Sequence, residues 1–364
     1  MKNNWFIYIG LVASLLLTGC ESEDMLTPSN MDKNRVSDFV NSTDKQFVKS
    51  IYEKFNCGLL YEYDAVLDFA YTAANSDASE KWAKIELSMI QDAYLDENGN
   101  MPAESKDQYN LHVDKALTFI DTTIFKYISD DALMAQKMPF KVLVCNIIET
   151  PTEVKGNNVF TESDSRIGEQ AIGVLNCLYN EHSIAISTNQ DALLYNSEQY
   201  RRDNFYIFLC RIMEMHDLYA YIPEAFYAMS SENYGRLIET VYAEEFGIDL
   251  EDDSEGAETV PDVVSKDWFY SKGFIDARYF YNGTIGLTTI DGEPKAIKKK
   301  YVFVQDMKAD VRSYLNEMLH RNEAELLAFP DSIKSKMLIL MNLMEEWGVD
   351  LKAFNPDLEI VRVG

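Results

Sequence analysis

Apolar and polar positions alternate at regular spacing along most of this chain, and three stretches break the pattern. Residues 5–17 are almost continuously apolar. Residues 205–222 form a long apolar and aromatic run that carries one His-Asp pair, His216-Asp217, and reads as a buried helix in the middle of the protein. From 244 to 300 the pattern becomes irregular, first acidic and then aromatic. Elsewhere the spacing predicts elements directly. Phe47, Ile51 and Phe55 share one face of a helix over 44–55, and Trp82, Ile85 and Met89 do the same for a helix over 80–91. Residues 113–127 read as a further amphipathic helix. Residues 59–64 read as a strand, 140–148 as a strand apolar enough to be central, and 183–187 as another, after a short apolar stretch over 171–178. Residues 96–100 and 156–158 are turn signals. Tyr301 to Val304 follow the only basic run, Lys298-Lys299-Lys300. Helices over 307–319 and 333–346 complete the chain, the second ended by Gly348 with Pro356 beyond it. Helix, strand, helix, strand, strand, helix is the order of an α+β domain with helices on one mixed sheet.

The first break is a leader. Lys2 precedes the apolar run, and Leu17-Thr18-Gly19-Cys20 matches a bacterial lipoprotein signal in which cleavage frees Cys20 for lipidation. The run is shorter than the roughly 20 residues that a membrane-spanning helix needs. The expected organisation is a signal peptide over 1–19, a lipidated flexible tether over 20–42, and one domain over 43–364 with an irregular insertion at about 244–300. Glu21-Ser22-Glu23-Asp24 resembles the acidic signal that sends some lipoproteins to the outer face of the outer membrane.

Charge narrows the partners. The chain carries 33 basic and 60 acidic residues, a net charge of −27. Such a body repels nucleic acid and anionic lipid, so membrane contact is expected through the lipid anchor alone. After Cys20 the cysteines are Cys57, Cys145, Cys177 and Cys210, each in an apolar context, and they read first as buried free thiols, with one or two disulfides left open. Four histidines, His112, His182, His216 and His320, are too far apart in sequence for one helix to present two of them to a metal. There is no phosphate loop, no nucleophile elbow and no Cys-x-x-Cys pair. The aromatics Trp268, Tyr270, Tyr279 and Tyr281 are candidates for a sugar-stacking platform, although aromatics in such a pattern are more often core.

The tail segments 311–319 and 336–351 resemble the C-terminal part of the zinc-binding metallopeptidase lipoproteins, also called substrate import-associated zinc metallohydrolases. Residues 56–64, 140–145 and Gly273-Phe274-Ile275 fall where that family has comparable elements, and the lipobox and acidic start fit too. The resemblance implies a zincin-like fold and a His-Glu-x-x-His zinc motif with an acidic third ligand in a later helix. Here the motif falls on His216-Asp217-Leu218-Tyr219-Ala220, and the third position falls on Ala309. Two of three ligands are then alanine, and Asp217 is a methylene shorter than the expected base. The resemblance therefore implies a member whose zinc site is lost, with vestigial His216 and Asp217 and no bound metal. It also implies association with outer-membrane nutrient importers of the SusC/SusD type, which take up glycans or peptides. The expected role is an accessory component of such an importer rather than an enzyme. An active zinc hydrolase with a rebuilt site and a surface glycan-binding protein are the alternatives.

Overall fold

The structure is a computed structural model, and it describes residues 34–70, 85–149, 169–171, 174–175, 177–180, 183–189, 198–261, 263–275, 277–281, 284–288 and 301–362. The leader, Cys20, Trp82, the 156–158 turn, His182 and the Lys298 to Lys300 run lie outside the described residues.

Two helices, α1 (Arg35–Ser42) and α2 (Gln46–Phe55), open the described chain and lead into β1 (Gly58–Leu60). Asn34 caps α1 by accepting from the Ser37 N–H, and Val36 and Val40 are buried. This corrects the expectation of a flexible tether as far as residue 42. The stripe of Val36, Phe39 and Val40 gives α1 an apolar face, and that face packs on the sheet. The packing is close: a Cβ on Gly58 would meet Val36 Cγ1 at 2.3 Å.

The expected helix over 80–91 is also corrected. Its described part is a strand, β2 (Glu86–Met89), followed by a 3₁₀ turn over Ile90–Tyr94. Ile85 and Leu87 are buried with Glu86 exposed between them, the two-residue alternation of a strand with one face on the core. Then follow α3 (Lys106–Thr123) and β3 (Lys141–Glu149). β3 is the hub. It pairs in parallel with β1 through Lys141–Leu143 positions and antiparallel with β2 through Cys145 to Glu149. On its other side it pairs in parallel with β7 (Ser183–Ser187). Short strands β4 (Glu169–Ala171), β5 (Val174–Leu175) and β6 (Cys177–Tyr179) complete a mixed sheet of order β4-β5-β3-β7-β6. Cys57, Cys145, Cys177 and Cys210 are free and buried.

Helix α4 (Glu198–Met215) lies in the core, with residues from Phe205 to Met213 buried. It is followed by α5 (Ile238–Phe246), α6 (Lys266–Ser271), and a second, antiparallel sheet of β8 (Ala277–Tyr281), β9 (Thr284–Thr288) and β10 (Tyr301–Phe303). Part of the stretch expected to be irregular is therefore built. A separate apolar cluster of Ile238, Val241, Trp268, Phe269, Phe274 and Phe303 fills it. The chain ends in α7 (Met307–His320), α8 (Glu323–Leu327), α9 (Asp331–Glu346) and α10 (Leu351–Phe354). The architecture is α+β, a mixed sheet with helices and a helical C-terminal part. Among the described residues no helix is long and apolar enough to cross a membrane.

Candidate functional site

The apolar run over 205–222 is not one helix. Its α-helical part stops at Met215, His216 and Asp217 form a turn, and Leu218–Tyr221 is a 3₁₀ helix. Asp217 has φ +49°, the left-handed region that ends helices and that a non-glycine residue enters at a cost. The Asp217 N–H bonds to the Glu214 carbonyl at 3.3 Å and the Ala220 N–H to the Asp217 carbonyl at 3.1 Å, both three-residue steps. His216 and position 220 consequently do not share one turn of an α-helix. A His-x-x-x-His zinc motif depends on that sharing.

The side chains follow the backbone. His216 Nε2 is buried with no hydrogen-bond partner among the described residues. Burial, and then the nearby Lys137 ammonium, hold its pKa below the ordinary histidine value, while a hydrogen bond to the Lys137 backbone opposes them. Asp217 is exposed and points to Lys308, whose Nζ lies 3.6 Å from Asp217 Oδ1 and 3.5 Å from Glu214 Oε1. The same ammonium sits 5.6 Å from the Tyr219 ring centroid. Ala220 is exposed, and Ala309 is buried in the first turn of α7, its N–H capped by Asp306 Oδ1. The fold thus brings α7 beside the end of α4, so positions 217 and 309 are neighbours through Lys308. What bridges them is a lysine between two carboxylates. One imidazole, one outward carboxylate and a resident ammonium do not fit zinc. Among the described residues no group of three His, Cys, Asp or Glu side chains is placed to hold a metal ion.

The remaining sequence candidates are scattered. Trp268 is core: it is buried against Phe303 and Tyr242, and its indole N–H donates to Glu245 Oε2 at 2.9 Å. It offers no open stacking face, which corrects its place in a sugar platform. Tyr270 is half-buried and packs edge-on to Phe329. The side chains of Tyr279 and Tyr281 lie outside the described residues. His112 is buried between the Tyr94 hydroxyl and the Thr188 carbonyl. His320 bridges the Asn316 carbonyl at 2.8 Å and Asp203 Oδ1 at 3.0 Å.

The densest polar chemistry is elsewhere, at residues the sequence reading did not single out. Lys336 of α9 and Asp310 of α7 are 2% and 0% exposed, with Nζ 2.8 Å from Oδ2. Asp310 Oδ2 also accepts from Tyr234 at 3.0 Å and from Ser230 at 3.1 Å. Lys336 Nζ donates to the Gly273 carbonyl at 2.6 Å and to Ser230 Oγ at 3.2 Å. Phe226 and Tyr314 enclose the ammonium, with ring centroids at 4.3 and 4.6 Å. Gly273 has to be glycine: its φ is +77°, and a Cβ there would meet Met229 Cβ at 2.8 Å. Burial drives both partners toward their neutral forms, raising Asp310 and lowering Lys336, while their mutual attraction opposes it. The Ser230–Lys336 contact is not a nucleophile and its base, because Lys336 is held by Asp310 and Ser230 is fully buried.

This cluster was legible in one respect. Lys336 falls on the apolar stripe of Ile333, Met337, Leu340 and Met344, where a lysine must find a buried partner. Its partner comes from 26 residues earlier, and spacing does not reveal such a pairing.

Comparison with family models, with curated proteins and with solved structures finds no match to this chain.

Proposed function

We propose that this chain is a surface-exposed, outer-membrane-anchored lipoprotein with a zincin-like body whose metal centre has been lost. In this reading it serves as an accessory component of a SusC/SusD-type nutrient importer, offering a surface to the transporter or to an oligomeric glycan or peptide. The observation that carries the loss is the Lys308 bridge. The loss is supported by a helix that ends at Met215 and by the Lys308 ammonium, which lies near Glu214 and Asp217 in the position the resemblance gives to a cation site. The anchor reading is supported by the lipobox at Cys20, and the exposed position by the acidic residues after it. A body with net charge −27 would be held away from a phosphate-rich membrane surface by repulsion.

The test is affinity purification of the tagged full chain from detergent-solubilised outer membranes. Co-purification of transporter subunits is the expected result, and recovery of the chain alone would defeat the importer assignment. Affinity electrophoresis against a polysaccharide panel separates the glycan-binding alternative, which requires retardation by a defined polymer without any transporter.

A further inference from the structure

The Lys336–Asp310 pair is an expensive arrangement as it stands. Taking an ammonium and a carboxylate out of water costs several kcal/mol per ion, of the order that a good hydrogen-bonded geometry only just recovers. Lys336 is well supplied with partners, whereas Asp310 is supplied at one oxygen only: its Oδ1 is buried with no partner among the described residues. Two O–H donors converge on the other oxygen.

We propose that Lys336 and Asp310 are joined by an intramolecular isopeptide bond between Nζ and Cγ, formed with loss of one water. The ammonium, 2.8 Å from Oδ2, first returns a proton to the carboxyl, giving amine and acid, a transfer that burial makes less costly than in water by raising Asp310 and lowering Lys336. The nitrogen lone pair adds to Cγ. Negative charge develops on Oδ2, where the Tyr234 and Ser230 hydroxyls, 3.0 and 3.1 Å away, stabilise it as an oxyanion hole does. The acid proton first taken up at Oδ2 passes to Oδ1 within the carboxyl, and Oδ1 leaves as water carrying that proton and one hydrogen from the nitrogen. Amine plus carboxylic acid gives amide plus water, so no oxidant, reductant or other reactant is needed.

The surroundings suit the product. Its single N–H faces the Gly273 carbonyl, which already accepts from Nζ at 2.6 Å. Its carbonyl oxygen keeps the Tyr234 and Ser230 donors, and the orphaned Oδ1 is gone. The two buried charges become one neutral amide inside the walls formed by Phe226, Phe274 and Tyr314. In water such a condensation is slow, but two groups fixed in contact react with effective molarities on the order of 10⁵ to 10⁸ M. The bond would tie α7 to α9 across the turn at Gly273. A protein working outside the cell, where refolding is not assisted, gains kinetic stability from such a tie.

Peptide mapping of the full chain by trypsin and mass spectrometry tests this. An acylated Lys336 resists trypsin, so the expected product is a branched peptide in which 309–312 is linked to 335–352, lighter than the sum of the two by one water. The Lys336→Arg variant should yield linear 309–312 instead. Linear 309–312 together with cleavage after Lys336 in the unmodified chain would overturn the proposal, without recourse to any variant.

Discussion

Replacing Asp68 by alanine examines whether α1 belongs to the folded body. Asp68 is 3% exposed and accepts from Arg35 of α1 through Nε at 3.2 Å and Nη2 at 3.1 Å. It also accepts the Asp64 N–H at 2.8 Å and lies 3.6 Å from Lys141 Nζ at the start of β3. Lys141 is 13% exposed, so removing the carboxylate leaves its ammonium largely enclosed and unpaired. Breaking a buried pair by deleting one partner costs about 3–5 kcal/mol. Arg35 is 33% exposed, so Arg35→Ala loses a screened contact and should cost only about 1 kcal/mol. Urea denaturation followed by tryptophan fluorescence supplies both values. The double-mutant cycle should return a coupling of about 1 kcal/mol. If Arg35→Ala is silent and the cycle shows no coupling, α1 is not docked, and the chain up to residue 42 is a tether after all.

Four further outcomes are expected. Gly348 has φ +85°, and a Cβ there would meet Ala132 Cβ at 2.1 Å, so Gly348→Ala should cost about 2–5 kcal/mol in a thermal melt. His112 has its pKa lowered by burial, so the unfolded chain binds the extra proton first; stability should be complete above about pH 6.5 and fall as the pH drops below it. His112→Gln should flatten that limb of the stability-against-pH curve while lowering its plateau. Burial raises the thiols of Cys57, Cys145 and Cys177, with Cys145 pushed up to about 12, and a thiol reagent should find them and Cys210 silent until denaturant is added. Lys308→Ala should change stability by no more than about 1 kcal/mol, since Lys308 and Asp217 are both exposed.

Long periodic elements were legible in the sequence, because burial of one face leaves a stripe. α2, α7 and α9, and the continuous apolar run of β3, fall where spacing places them, while α3 overlaps its expected range but runs over Lys106–Thr123 and not over 113–127. Short elements were not. β2 has four residues, and Met89 serves a helical spacing with Ile85 as readily as a strand alternation with Leu87. The end of α4 was also hidden. Phe205 to Tyr221 is apolar on both sides of the break, and the turn is set by the left-handed backbone at Asp217, which no hydropathy pattern encodes. At the candidate site the sequence supplied His216, Asp217, Ala220 and Ala309, but not Lys308, whose position is a matter of helix packing. Lys336 is a charge on a core stripe, a signal that the spacing argument passed over, whereas Asp310, Ser230, Tyr234 and Gly273 join it only through tertiary contact.

The central claim is that the end of α4 carries no zinc site. Metal analysis of the purified full chain after incubation with zinc and desalting tests it most directly. Zinc well below stoichiometric, and unchanged by His216→Ala, is the predicted result. Stoichiometric zinc that disappears in His216→Ala would contradict it.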